Sequence, residues 1–363
     1  MYNIMQRERS EMMKKATKAR IGIIGLGFMG TTHWGIYKGL KNACITAVAD
    51  VDAKKRAGDV SSVVGNIGDG DNSKPLDLTG VTVYESGLAL ISDADVDIVD
   101  ICVPTPDHAD LVCAALAAGK HVFCEKPLCR DAAQMKRILA AAKKARGFFN
   151  VGLCVRAWPE YRHAYEYYRS GKAGKMRSAT FKRISPSIAG NAWHDWFMDG
   201  AVSGGALLDM HVHDADEVNC FFGTPKSVTA FGAADIVSRN GGVDHVMAVY
   251  DYGDGTLVTA EGGWGAAKGV PFEMSFTIVC EKATLKLDAS GYHIYPVKGK
   301  PIAPKVDAKA GPTGWHQELT YFVNCVLKGV KPDKYQTLDS VEKTMKLIFA
   351  EARSVKTGKP IRL

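Results

Sequence analysis

Arg20-Ile-Gly-Ile-Ile-Gly-Leu-Gly-Phe-Met-Gly30 runs from a short apolar segment, Ile21 to Ile24, straight into Gly25-x-Gly27-x-x-Gly30. A helical pattern follows through Phe28, Met29, Trp34, Ile36, Tyr37 and Leu40. A dinucleotide pyrophosphate needs this order of parts. Gly25 makes the tight strand-to-helix turn, and Gly27 lets backbone amides approach the phosphates. Gly30 lets the helix pack close to the sheet, and the helix N-terminus faces the anion. A bare glycine triplet also occurs in unrelated α/β turns. Here a second strand, Cys44 to Ala49, ends in Asp50, 20 residues past Gly30, where the ribose-binding carboxylate belongs. A carboxylate accepts from a 2′-hydroxyl and repels a 2′-phosphate, so NAD is expected over NADP. Lys54, Lys55 and Arg56 soften that preference.

From Ile21 to Leu153 strand and helix alternate. Strands are expected at 21–26, 44–49, 81–84, 96–103, 120–124 and 148–153, and helices near 28–41, 52–62, 86–92, 107–118 and 131–146. Val96 to Val103 is apolar on both faces, as in a parallel sheet covered on both sides. Such alternation gives a doubly wound fold that binds its ligand at the carboxyl ends of the strands. Residues 65–80, rich in glycine, aspartate and asparagine, break the rhythm as an exposed loop. After Leu153 a helix (158–170) is followed by alternating runs at 176–184, 226–237, 243–252, 255–264, 272–280 and 283–288, with Gly253-Asp254-Gly255 as a tight hairpin. Helices at 315–328 and 338–356 close the chain. The expected fold is α/β: a doubly wound parallel sheet over 21–153, then an α+β domain over 154–363 with a large, mostly antiparallel open sheet. One face of that sheet is free for a second copy of the chain.

Length and composition fit two globular domains: 363 residues, 46% hydrophobic and 23% charged. The formal net charge is +7. Residues 1–20 hold six basic side chains against Glu8 and Glu11, and so supply +4 of it. The remainder is too weakly basic to argue for nucleic acid. The tail has no apolar core of a secretory signal and reads as a flexible arm. No apolar run is long enough for a membrane span. The nine cysteines are scattered, mostly in apolar patterns, which suits a reducing cytoplasm and no zinc site.

Three segments carry chemistry. Val103-Pro-Thr-Pro-Asp-His108 ends the fourth strand, where Thr105 and His108 would face the cofactor; the same residues also read as a helix start. Glu125-Lys126-Pro127 follows the fifth strand and places a lysine at the ligand edge. Ser203 to Asp216 contains Asp209, His213 and Asp216 at i, i+4 and i+7. On a helix turning about 100° per residue these share one face, while His211 lies on another. Read as a strand, His211 and His213 would point together toward a metal. A histidine flanked by carboxylates is a good base candidate, because they orient and stabilise the imidazolium.

Together these stretches resemble the Gfo/Idh/MocA family, named for glucose–fructose oxidoreductase and inositol dehydrogenase. The resemblance rests on Gly25 to Gly30, Ala117 to Pro127, Ser170 to Met176 and Gly204-Gly-Ala-Leu-Leu-Asp209-x-x-x-His213. It implies a Rossmann domain, an open C-terminal sheet, NAD(P), oligomers built through that sheet and a cis Lys126–Pro127 bond. It also implies Lys126, Asp209 and His213 as a catalytic trio, with Asp216 near the substrate. His211 and the long 65–80 loop depart from the common pattern.

Cofactor contacts are expected from Gly25, Gly27, Phe28, Met29, Gly30 and Asp50 after the first two strands, and from Thr105, His108, Glu125 and Lys126 at the ends of the fourth and fifth. The expected reaction is reversible oxidation of a secondary hydroxyl of a sugar, glycoside or cyclitol, including ring oxidation of a glucoside. His213 would take the proton near an unperturbed pKa of about 6.5, Lys126 would hold the oxygen, and Asp209 would orient His213. Arg156, Trp158 and Tyr161, and the aromatic loop Asn191-Ala-Trp193-His-Asp-Trp196-Phe197, are expected to reach the substrate, with the tryptophans stacking on sugar faces or packing in the core or a lid. Two rival readings are a cofactor-binding regulator or sensor without turnover, and a metal enzyme centred on His211 and His213.

Overall fold

In the computed structural model the chain is described over residues 17–65, 74–190 and 193–363. Residues 1–16 of the expected arm, residues 66–73 of the long loop, and the side chain of Trp193 lie outside the described parts.

The first sheet has six strands: β1 (Ala19–Ile24), β2 (Ala43–Ala49), β3 (Thr82–Tyr84), β4 (Ile98–Ile101), β5 (His121–Glu125) and β6 (Phe149–Gly152). Their order is β3-β2-β1-β4-β5-β6, and every pair is parallel. The order reverses direction between β1 and β4, and the glycine loop sits at that switch point, where this fold binds its ligands. Helices α1 (Phe28–Gly39), α2 (His108–Ala117) and α3 (Ala132–Lys144) cross between the strands. Asp131 caps α3, accepting from the Ala133 and Gln134 amides at 2.8 Å. The helix expected over 52–62 is only Ala53–Arg56. Gly58, at φ +89°, turns the chain away there, and a Cβ on it would meet the Leu76 carbonyl at 2.7 Å.

After helix α4 (Pro159–Arg169) comes the second sheet. Its strands are β7 (Met176–Pro186), β8 (Ser227–Ala234), β9 (Val243–Asp251), β10 (Leu257–Ala266), β11 (Glu273–Cys280), β12 (Ala283–Asp288), β13 (Gly291–Pro296) and β14 (Ile361–Arg362). The order is β13-β12-β11-β7-β10-β9-β8-β14, antiparallel except for the β7–β10 pair. β13 and β14 are the edge strands, and neither showed in the alternating pattern, since short edges need little of it. The tight hairpin stands where expected, with Gly253 and Gly255 at φ +70° and +82°.

Alternation along β9 buries Asp244, Val246, Ala248 and Tyr250 and turns His245, Met247, Val249 and Asp251 outward. The inner face packs on α5 (Val212–Phe222) and α7 (Leu338–Thr357). The outer face leaves Phe231, Met247, Val249 and Leu257 between 47% and 66% exposed.

Helix α6 (Gly314–Lys328) returns from the second half of the chain to the first sheet. Its Leu319, Phe322, Val323 and Val326 pack with Ile21, Ile23, Trp34 and Phe123 in one apolar cluster. One face of the parallel sheet is therefore closed by residues that lie beyond 153. Among the described residues, no helix is long and apolar enough to cross a membrane.

Candidate active site

The glycine loop has the shape a pyrophosphate cradle needs. Gly25 is at φ +93°, and a Cβ there would lie 2.6 Å from the Cys102 carbonyl oxygen. A Cβ on Gly30 would lie 1.9 Å from the Gly25 carbonyl oxygen. Gly27 has no heavy atom within 4 Å of its Cβ position, so the space over the N-terminus of α1 is open. Asp50 closes the end of β2, accepting from the Leu26 amide at 2.7 Å and the Asp52 amide at 2.8 Å. These residues fit a dinucleotide: a crowded turn, open space above it, and a carboxylate at the tip of the second strand.

The contrast between the two glycines is testable. Gly30→Ala forces backbone atoms apart and should cost about 1–3 kcal/mol of stability. Gly27→Ala should melt as the parent does and weaken NADH binding about tenfold. Thermal melts and NADH fluorescence titrations read both, and a Gly27→Ala chain with unchanged affinity contradicts the cradle.

A cleft opens between this loop and the second sheet, lined by Phe28, Met29, Lys126, Asp209 and His213 among others. Strand β5 delivers Lys126, and the Lys126–Pro127 bond is cis, as the resemblance implied. Lys126 Nζ donates to the Asp209 carboxylate at 3.0 Å and to its backbone carbonyl at 2.9 Å. The two side chains are 16% and 12% exposed, so the pair is largely shielded. Residues 205–209 form one short helix and α5 begins at Val212, so the chain is bent at Met210–His211.

His213 reaches the cleft from the first turn of α5 and is 8% exposed. Burial, then the charges of Arg183 and Lys126, holds it well below the usual histidine range. It stands as a neutral base, not near its free value. Asp209 was expected to orient His213; its hydrogen bonds go to Lys126, and His213 Nδ1 has no partner among the described residues.

Arg183 is a member of this site that the sequence reading missed. It comes from β7, lines the cleft, and donates through Nε to Asp214 at 3.0 Å. Phe181, Arg183 and Ser185 are all buried on β7, and a lone charge at that parity was the available signal.

Several expected contacts fall elsewhere. Thr105 and His108 are each 1% exposed and are not among the residues that line this cleft. The His108 ring instead spans the carbonyls of Val103 and Pro127, 2.9 Å from each, and so ties the Lys126 turn to the fourth strand. Glu125 is buried too, because successive strand residues point to opposite faces. Its carboxylate accepts from the Lys126 amide at 3.1 Å and lies 3.3 Å from His33 Nε2. His33 Nδ1 is 2.8 Å from Asp100, within a buried group that includes Cys102. Burial opposes charge on His33, but Asp100 and Cys102 outweigh it and raise its pKa well above the usual value.

Arg156 and Asp216 do not line the cleft; they satisfy each other. Arg156 Nε and Nη2 donate to the Asp216 carboxylate at 2.6 and 2.5 Å, and Thr344 adds a third donor at 2.6 Å. The bend at Met210–His211 breaks the continuous stripe that had put Asp216 beside Asp209. Asp216→Ala leaves a buried guanidinium unpaired and should cost about 3–5 kcal/mol. Denaturant unfolding measures it, and a negligible loss would show the pair to be dispensable.

Tyr161 is fully buried, whereas Trp158 does line the cleft, edge-on to Trp315 at 5.6 Å. Trp315 in turn meets Phe28 at 6.3 Å. Trp196 stacks on Phe197 at 4.0 Å, and it is Phe197 that lines the cleft. Trp193 was the other expected stacking residue, and its side chain lies outside the described parts. His211 Nε2 is 2.9 Å from Glu351, in the interior, so it does not share a site with His213.

Comparison with known proteins identifies the family and the fold. Residues 19–153 match the family described as "Oxidoreductase family, NAD-binding Rossmann fold", and residues 161–286 match the "GFO/IDH/MocA C-terminal domain". A myo-inositol 2-dehydrogenase of Thermotoga maritima is 30% identical over 245 residues, 66% of each chain. A levoglucosan dehydrogenase of Pseudarthrobacter phenanthrenivorans is 31% identical over 166 residues, 44% of this chain and 43% of that protein. The alignments thus span only 43% to 66% of these relatives' own lengths. A levoglucosan dehydrogenase solved with NADH and levoglucosan superposes with TM-score 0.79 at 19% identity, covering 95% of this chain and 99% of that one. The scyllo-inositol dehydrogenase of Lactobacillus casei, with NAD(H) and scyllo-inositol, gives 0.74 at 24% identity, with the same coverage. These likenesses establish the fold.

Proposed function

The chain belongs to the Gfo/Idh/MocA oxidoreductase family, and from that premise we propose that it is an NAD-dependent dehydrogenase of a secondary hydroxyl on a sugar, glycoside or cyclitol. The observation that carries this reading is the Lys126–Asp209 ion pair, set beside a neutral His213 at the mouth of the dinucleotide cleft. Residues 21–153 hold the cofactor and residues 154–363 the substrate.

His213 accepts the hydroxyl proton as the carbonyl forms. Lys126 donates a hydrogen bond to the same oxygen and stabilises its developing negative charge, an effect strengthened by the shielded site. Asp209 fixes the Lys126 ammonium in place through two contacts. NAD⁺, when bound, would supply the acceptor for the hydride leaving that carbon, so that alcohol and NAD⁺ would give ketone, NADH and one proton. Asp50 favours NAD over NADP, because it puts a negative charge where a 2′-phosphate would fall. The test is the NADH absorbance change on mixing protein and NAD⁺ with a panel of sugars, glycosides and cyclitols. NADH binding without turnover of any of them would instead make the protein a regulator or sensor of the same fold.

The outer face of the second sheet presents Phe231, Met247, Val249 and Leu257 side by side on β8, β9 and β10. Contiguous exposed apolar side chains of this kind mark interfaces, and a second copy of the chain is the occupant we assign. All nine cysteines are free, which suits a cytoplasmic setting.

A further inference from the structure

We propose that the substrate is a glycoside with an apolar or aromatic aglycone, not a free sugar or cyclitol. This rests on the dehydrogenase reading above. The sugar ring lies at Lys126, Asp209 and His213, and the aglycone lies against a wall of Ile188, Phe197, Met210, Phe272 and Met274.

The polar inventory of the cleft carries the argument. Among the described residues its charged or strongly polar side chains are Lys126, Asp209, His213 and Arg183, with Trp158 and Trp315 adding one indole N–H donor each. Lys126 and Asp209 are already engaged with each other, and Arg183 with Asp214. A free cyclitol carries a hydroxyl on every ring carbon. Each one desolvated without a partner weakens binding, by about fivefold or more. This cleft meets one polar edge of a ring well and has little to offer the other edges.

The remaining surface calls for apolar matter. Phe28, Met29 and Val64 come from the dinucleotide side and are left to the cofactor. The five wall residues all come from the second half of the chain. Ile188, Phe197, Met210 and Phe272 belong to a small apolar cluster separate from the main core, backed by Met198, Ala206 and Trp264, while Met274 packs against the main core. Trp264 is held by its indole N–H, which donates to Asp244 at 2.5 Å. Asp244 also accepts from the amides of Ile236, Val237 and Ser238. The wall is therefore fixed from behind. Its front presents two phenylalanines and two thioethers, which suit the faces and edges of aromatic rings.

The experiment compares phenyl glucoside, methyl glucoside, glucose and myo-inositol, by kcat/KM from NADH formation and by quenching of tryptophan fluorescence in the presence of NADH. The expected result is a preference of about tenfold or more for the phenyl glucoside in both measurements. Phe272→Ser and Met274→Gln, each checked by thermal melt, should bring the phenyl-to-methyl ratio down toward one. Equal efficiency for methyl glucoside or myo-inositol overturns the aglycone wall and leaves the dehydrogenase reading standing. Absence of all turnover overturns the dehydrogenase reading, and the fluorescence ratio alone then decides the wall: equal affinities sink it.

Discussion

Replacing Lys126 with methionine should lower kcat about 100-fold to 1,000-fold and leave NADH affinity within a few-fold of the parent chain. Methionine keeps most of the length and apolar bulk of the stem and deletes the charge. The variant loses the donor to the substrate oxygen, and that donor matters most when negative charge builds on the oxygen. It also frees the Asp209 carboxylate, which is 12% exposed and left without its ammonium, so some loss of stability accompanies the loss of rate. A melt taken beside steady-state kinetics separates the two. The dinucleotide cradle is built from the glycine loop and Asp50, away from this ammonium, which is why binding survives. Near-normal turnover in Lys126→Met would remove the lysine from the chemistry.

His213→Ala should cost about 10²–10⁴ in kcat, the usual worth of a positioned base. The pH profile distinguishes a base from a packing residue. Burial, Arg183 and Lys126 keep the His213 ring neutral to well below its free value. Its base form is therefore complete above about pH 6.5 and is lost only as pH falls through the lower folded value. The groups facing it in the cleft are Lys126 and Asp209, with Arg183 behind. Alcohol oxidation should stay flat as pH falls through the free histidine value of about 6.5 and drop only well below it. That acid limb should vanish in the alanine variant. A limb centred at or above the free histidine value would contradict the assignment.

Much of this site could be read in one dimension because strand ends and glycine spacing impose it. Gly25, Gly27 and Gly30 have different steric needs, and the spacing alone separates their roles. Lys126 follows a parallel strand at its ligand edge, and Asp209 and His213 bracket one helical turn. What failed has identifiable causes. Glu125 was grouped with Lys126, although neighbours on a strand face opposite ways, and its carboxylate goes inward to His33. Asp216 was carried along a helical stripe that the bend at Met210–His211 interrupts. Arg156 and Asp216 were both offered to a substrate, yet opposite charges buried together satisfy each other first. His211 depends on Glu351 in the last long helix, a pairing that only the tertiary fold creates. Arg183 was passed over because β7 also carries Arg177 and Lys182, and a further charge on such a strand reads as solvent-facing unless its parity is checked.

The return of α6 to the parallel sheet bears on how the molecule is made. A ribosome delivers the six parallel strands long before it delivers Leu319, Phe322, Val323 and Val326. During that interval the greasy side around Ile23, Trp34 and Phe123 waits uncapped, and a nascent chain in this condition is a natural client for chaperones. The nucleotide-binding half is thus first in synthesis but among the last parts to be sealed, and cutting the gene at the boundary between the halves would yield an insoluble fragment.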